Sequence, residues 1–281
     1  MNSKLSIPIV ETIKKRKSTR TYQDKMLSDS DMKKLLEYMD SVSNPFDVQV
    51  KINIINKKLN EDGEKLGTYG IIKGARTFLG LSVPNTELAT VAAGYQFENL
   101  ILYATNMGLG TVWLAATFSR DDFSKAMEID KNDLFIAISP VGYPAEKRSI
   151  TENLMRASLS SSSRKPWDKL FFFENFQTPM TQTLAGDYAI PLEMVRIAPS
   201  ATNAQPWRVL KIGNNYHFYE THKQNTSKEE ALIKQVDLGI ALSHFHQTAL
   251  EKGLKGRFEK LSQNNIEIPK NTYYVISWIA E

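Results

Sequence analysis

Apolar positions in the N-terminal half alternate between helical and strand spacing. Ser6 and Pro8 open a segment running to the basic cluster Lys14-Lys15-Arg16-Lys17, which predicts a helix because proline is tolerated in a first turn. Ser28 followed by Asp31 resembles a capping box, and Met32, Leu35, Leu36 and Met39 then share one helical face. Val48, Val50, Ile52 and Ile54 alternate with polar residues, the pattern of a half-buried strand. Phe78 to Val83 and Phe135 to Val141 are further strand-length runs. Between them Leu88 to Met107 reads as a long helix closed by Gly108.

The C-terminal half repeats this plan. Gly94 and Gly239 lie 145 positions apart, and the same offset sets Ala104 against Ala249 and Gly108-Leu109 against Gly253-Leu254. Pro206-Trp207 leading into Val209, Leu210 and Ile212 likewise matches Pro45-Phe46 leading into Val48, Val50 and Ile52, at a different offset. Together these matches suggest a duplicated unit. The serine-rich stretch 158–163 reads as a linker, dividing the chain into units 1–157 and 164–281.

Composition narrows the chemistry. The chain has 281 residues, 42% hydrophobic and 23% charged, which is ordinary for a globular protein and argues against disorder or a fibre. The net charge of +4 is small for this length and the lysines are interspersed with acids, so no nucleic-acid partner is implied. Cysteine is absent, which removes disulfides, thiolate metal sites and cysteine nucleophiles; redox chemistry would need a bound cofactor. The apolar run Ile7 to Val10 is short for a signal peptide, and no segment has the length of a membrane span, so a cytoplasmic location is the default expectation.

Two motifs carry the most information. Arg16 and Arg20 flank Ser18 where a helix gives way to extended chain, and guanidinium forks match phosphate oxygens. The alternative is a solvated basic helix end. Far away, the string Ala198 to Trp207 holds Pro199 and Pro206, which stiffen the backbone, and Ser200 and Asn203, suited to hydrogen-bonding a heteroaromatic edge or sugar-alcohol hydroxyls. The alternative is a tight turn with Trp207 starting a strand. Gly108 to Ala116 follows the long helix and is either a ligand loop or a helix cap with Trp113 in the core; it is no dinucleotide fingerprint. Neither His217 with His222 nor His244 with His246 has metal-ligand spacing, and no nucleophile elbow or Walker sequence occurs.

The string Pro-Ser-x-x-Asn-x-Gln-Pro-Trp and the distant Arg-x-Ser-x-Arg-x-Tyr together resemble the nitroreductase-type flavoproteins, specifically the TM nitroreductase type in which two fused halves mimic a homodimer. The resemblance implies an α+β fold: two similar halves, each a mixed sheet flanked by helices, about a pseudo-twofold axis. It implies FMN, with Arg16, Ser18 and Arg20 on the phosphate and Lys147 and Arg148 joining them. Trp113, Leu114 and Ala115 would lie against the flavin ring, although Ala115 and Ala116 depart from the glycine or acid of many relatives. Lys73 would reach the pyrimidine, with a merely solvated lysine as the alternative. Pro199, Ser200, Ala201, Asn203 and Gln205 would come from the other half.

Asp40 to Phe46 and Arg164-Lys165-Pro166-Trp167-Asp168 stand where the second copies of the two motifs would be and lack most of them. One flavin per chain, in a monomer, is therefore expected. The implied reaction passes reducing equivalents from NAD(P)H, by a ping-pong flavin mechanism, to a small acceptor such as a nitroaromatic or quinone. No acid–base residue, metal or membrane partner is implied. A non-catalytic flavin-binding sensor, or a different reaction on the same fold, remains the alternative.

Overall fold

The computed structural model describes residues 4–56, 67–147, 149, 152, 163–263 and 266–281. The expected linker, apart from Ser163, and Arg148 lie outside the described residues. Helix α1 (Ile9–Lys15) starts at Pro8, and α2 (Asp29–Ser41) is capped by Ser28, whose hydroxyl accepts from the Asp31 amide. The capping box is one-sided: the Asp31 carboxylate accepts from the Tyr143 hydroxyl at 2.5 Å instead. Leu35 is the buried residue of α2, while Leu36 is exposed.

The N-terminal sheet holds β1 (Lys51–Asn56), β2 (Thr77–Pro84), β3 (Gly110–Thr111) and β4 (Asp133–Gly142) in the order β1-β2-β4-β3. Central β2 is buried almost throughout, which explains its continuous apolar run. Edge strand β1 is half-buried and begins only after Val48 and Val50. All three ladders are antiparallel, so this sheet is not the mixed one expected; the parallel pairing shrinks to single bridges, Ser18 with Thr111 and Thr21 with Lys73. Helix α4 (Arg120–Ala126) lies between β3 and β4 in the chain.

The C-terminal sheet is mixed. It holds β5 (Phe171–Phe173), β6 (Asn175–Pro179), β7 (Trp207–Ile212), β8 (Asn215–Thr221), β9 (Gly256–Glu259) and β10 (Thr272–Ala280) in the order β6-β5-β7-β8-β10-β9. Only β5 with β7 is parallel. Helices α5 (Gln182–Ala185) and α6 (Ala189–Arg196) precede β7.

Two long helices, α3 (Ala89–Asn106) and α7 (Lys228–Glu251), pack against each other between the sheets. Gly94 and Gly239 mark their closest approach: a Cβ on Gly94 would fall 2.1 Å from the Val236 carbonyl oxygen, and one on Gly239 2.1 Å from that of Val91. Both helices end in the same Schellman geometry. The Leu109 amide donates to Ala104 and Gly108 to Thr105, as Leu254 does to Ala249 and Gly253 to Leu250. The main apolar core runs without a break from β2 through α3 and α7 to β8 and β10. The Glu251 carboxylate also accepts from the Ile9 and Val10 amides at the start of α1, so the last turn of α7 satisfies amides that α1 leaves open.

Candidate functional site

Arg16 leaves α1 with an extended ψ of 130°, and residues 16–22 continue as an extended segment. Thr19 donates its amide to Thr111 and Tyr22 donates to Lys73, while the Lys73 and Ala145 amides donate to Arg20 and Thr21, all at 2.9–3.0 Å. Side chains of an extended segment point alternately to opposite sides. Arg16, Ser18 and Arg20 accordingly line one cavity of about 530 Å³, whereas Lys17, Thr19 and Thr21 line a separate hollow of about 380 Å³. The spacing of Arg-x-Ser-x-Arg is thus a strand period that presents three polar groups to one space.

That alternation corrects part of the expected site. Lys147 lies on the second hollow, with Glu146 and Glu152, and so on the opposite side of the segment from Arg16 and Arg20. Lys73 is exposed and meets the segment through its backbone; its side chain is not part of the cavity wall.

A second wall is the turn after α6. Pro199, Ser200, Ala201, Thr202 and Asn203 line the same cavity. Thr202, Asn203 and Gln205 have φ of 51°, 57° and 47°, a left-handed conformation that side chains resist and that persists only where the surroundings over-determine it. Here they do. The Gln205 amide donates to Ser200 Oγ (2.9 Å), Gln205 Nε2 donates to the Asn203 carbonyl (3.1 Å), and Gln205 Oε1 accepts from the Lys165 amide (2.7 Å). Gln205 is therefore the buried clasp of the turn and not part of the cavity wall. Asn203 is held likewise, its Nδ2 donating to the Ser163 carbonyl and its Oδ1 accepting from Arg164.

A third wall is the loop after β3, formed by Trp113, Leu114, Ala115 and Ala116. Leu114 exchanges backbone hydrogen bonds with Ile138 at 2.9–3.0 Å, and Arg120 donates to the Ala115 carbonyl at 2.7 Å. Trp113 packs edge-on against Phe97 and donates its indole N–H to Glu98 at 2.8 Å. Glu98 is fully buried. Its carboxylate also meets His244 Nε2 at 3.0 Å and Arg16 Nε at 3.9 Å. His244 Nδ1 faces the Met194 carbonyl at 3.0 Å and, since a carbonyl only accepts, carries the proton there. One carboxylate thus joins the first wall, the loop and α7.

Two contributors were not anticipated from sequence. The first is the face of α7 formed by Glu230, Ile233, Lys234, Asp237 and Ile240, which closes the cavity at helical spacing. Asp237 is 3% exposed; its Oδ1 accepts from the Ala201 amide at 2.9 Å, and its Oδ2 is buried without a hydrogen-bond partner. Burial pushes its pKa up to about 8, outweighing the Ala201 amide and the nearby Lys234. A carboxylate at helical spacing between Ile233 and Ile240 was the available signal. The second is Arg164, read from sequence as the remnant of a second site, which lines the same cavity as Arg16.

The turn at Asn44 differs. Asn44 Nδ2 donates to both the Val48 carbonyl and Gln96 Oε1 at 2.8 Å, and its Oδ1 accepts from the Phe46 amide. Phe46 fills the space beside it against Tyr95 and Phe258. Among the described residues no cluster of acids and histidines could hold a metal ion, and no helix is long and apolar enough to cross a membrane.

Residues 8–249 match the profile of the family described as "Putative TM nitroreductase". A curated protein of Archaeoglobus fulgidus, "Putative NADH dehydrogenase/NAD(P)H nitroreductase", is 26% identical over 179 residues, which cover 54% of this chain and 94% of that protein. Among solved structures, a "putative nitroreductase" from Thermotoga maritima MSB8 superposes over 99% of this chain and 96% of its own, at a TM-score of 0.61 and 20% identity. A nitroreductase with bound FMN from Bacteroides fragilis NCTC 9343 covers 52% of this chain and 92% of its own, at 19% identity and a TM-score of 0.42.

Proposed function

Because the chain belongs to the family described as "Putative TM nitroreductase", we propose that it is an FMN-dependent oxidoreductase that takes reducing equivalents from NAD(P)H and delivers them to a nitroaromatic, quinone or similar small acceptor. The observation that carries this reading is the meeting, in one cavity, of Arg16, Ser18 and Arg20 with the turn from Pro199 to Asn203. The donor set suits the cofactor. Two guanidinium groups and a hydroxyl match a phosphate monoester, and Val112, Leu114, Ile136 and Ile240 supply apolar walls for a flat ring in a cavity of ligand size.

When bound, FMN supplies the redox chemistry, and the protein's part is binding, orientation and electrostatics. Arg16 and Arg20 hold the anionic end, and Glu98 orients Arg16 and Trp113 together. The Asp237 carboxyl fixes the turn through the Ala201 amide. Since Asn44 and Phe46 are used up in their own turn, the reading gives one flavin per chain and a monomer whose α3–α7 contact replaces a subunit interface. The units 1–157 and 164–281 are then two nitroreductase-like halves.

The test begins with the purified protein, which should be yellow and release FMN, not FAD. Substituting both Arg16→Ala and Arg20→Ala should remove most of the flavin, since each charge-assisted hydrogen bond is worth roughly 1.5–3 kcal/mol. Oxidation of NADH or NADPH with a panel of acceptors should give parallel double-reciprocal lines, as donor and acceptor take turns at one site. A colourless protein that ignores added FMN would refute the cofactor, and flavin binding without turnover would favour a binding protein.

A further inference from the structure

At the offset of 145 that sets Gly94 against Gly239, Glu98 falls on Ser243, Asn99 on His244 and Trp113 on Phe258. The α3–α7 contact accordingly holds two side-chain pairs in matching positions. One is made of neutral groups: Ser243 Oγ donates to Asn99 Oδ1 at 2.8 Å. The other joins an acid to an imidazole, Glu98 Oε1 to His244 Nε2 at 3.0 Å, and both side chains are almost wholly buried. Their surroundings differ as well. Trp113 lines the cavity and donates its indole N–H to Glu98, whereas Phe258 is no part of the cavity wall and packs against Phe46, His246 and Trp278. The acid and the imidazole thus stand where the neighbouring ring forms a wall of the cavity.

Protons fix the sense of these contacts. His244 Nδ1 gives its proton to the Met194 carbonyl at 3.0 Å, in the last turn of α6. A carboxylate oxygen only accepts, so the approach of Nε2 to Oε1 at 3.0 Å requires a second proton between them. Glu98 Oε2 takes the Trp113 N–H at 2.8 Å, and Arg16 Nε lies 3.9 Å from Oε1. The chain of contacts therefore runs from α6, whose end leads into the turn from Pro199 to Asn203, through His244 and Glu98 to Trp113. It ties one wall to another through two buried groups that do not themselves line the cavity. With the imidazole gone, Oε1 would lose its hydrogen bond in a dry interior, at a cost that drives Glu98 to a new rotamer or to take up a proton. Either change removes the charged acceptor that orients Trp113.

We propose that His244 is a positioning residue for the cavity: through the proton it shares with Glu98, it holds that carboxylate on the Trp113 indole and so fixes the third wall. This rests on the flavin reading above, in which that wall takes the flavin ring. The ring is common to FMN and riboflavin, so His244 supports the binding of both, in contrast to the phosphate role assigned to Arg16 and Arg20.

The experiment titrates the flavin-free full-length protein with FMN and with riboflavin, following flavin fluorescence, for the wild type, His244→Asn, Trp113→Phe and the double variant. The substitutions bring in the residue types found at the matching positions, Asn99 and Phe258. Each single substitution should weaken both flavins roughly 3- to 30-fold, and the double variant should bind no more weakly than the worse of the two, since both act through one contact. Losses that multiply would mean that His244 acts apart from Trp113, as a residue needed only for folding does. A loss confined to FMN would place the effect at the phosphate, and no loss would leave His244 without a role. Each of these overturns the proposal while the flavin reading stands. Should His244→Asn not fold, His244→Gln, closer in length, runs the same cycle. A second measurement needs no ligand. The emission of Trp113, taken as the difference between a protein and its Trp113→Phe counterpart, should shift in His244→Asn, and an unchanged difference spectrum overturns the proposal. If the wild type binds neither flavin, the flavin reading fails, and this shift alone decides whether His244 positions Trp113.

Discussion

Gly239→Ala sets two effects of opposite sign against each other. In an exposed helix interior, replacing glycine by alanine stabilises by about 1 kcal/mol, because alanine loses less backbone freedom on folding. At the α3–α7 crossing the added Cβ would sit 2.1 Å from the Val91 carbonyl oxygen and 2.9 Å from the Tyr95 amide nitrogen. Real Cβ atoms do not come closer than 3.0 Å, so the helices must part by at least about 0.9 Å. The obstacle is backbone on both sides, and no rotamer change relieves it. Parting would stretch the hydrogen bonds that flank the crossing, Thr90 Oγ1 to Gln235 Oε1 at 2.6 Å and Ser243 Oγ to Asn99 Oδ1 at 2.8 Å. Overpacking of a core costs roughly 1–3 kcal/mol, and a backbone clash belongs at the upper end. The net expectation is a loss of about 1–2 kcal/mol, read as a lower urea midpoint at unchanged m. Gly94→Ala should behave alike. Equal or higher stability would mean that helix propensity wins, and the close crossing of α3 and α7 would be refuted.

Glu98→Gln keeps the shape but removes the charge shared by Arg16, Trp113 and His244. It should cost about 3–5 kcal/mol as a broken buried ion pair and change Trp113 fluorescence; an unaltered denaturation midpoint and emission spectrum would show that the cluster is not coupled. Asp237→Asn tests the raised pKa. The folded state holds this proton up to about pH 8 whereas an unfolded aspartate releases it near 3.8, so wild-type stability falls relative to the variant as pH rises between these values. A constant difference between wild type and variant across that range would contradict the assignment. Light scattering joined to flavin counting should give the mass of one chain and one flavin, with flavin lost in Asn203→Ala and kept in Asn44→Ala. Two flavins per chain, or equal damage from both substitutions, would overturn the single-site reading.

Much of the architecture was legible in the chain because it depends on local chemistry. Ser28 announces α2 through a hydrogen bond three residues long, and Gly108 and Gly253 end α3 and α7 through a left-handed cap that glycine adopts readily. The alternation in Arg16, Ser18 and Arg20 forms one face of an extended segment, and the string from Pro199 to Asn203 lines the same cavity. Lys147 lines a different hollow for a reason the chain does not state locally: which side of residues 16–22 a distant loop approaches is set by sheet pairing.

The sequence by itself determined where helices start and stop, which positions are apolar, and that two distant motifs carry the polar chemistry, since each is written within a few consecutive residues. The tertiary structure alone decided that Gln205 is a clasp, that Asp237 is a buried acid on the cavity, and that Arg164 joins Arg16 instead of marking a second pocket. Burial and the field of neighbouring charges are properties of the space around a side chain. That space is filled here by segments up to about 220 positions apart, as Arg16 and Ile240 show.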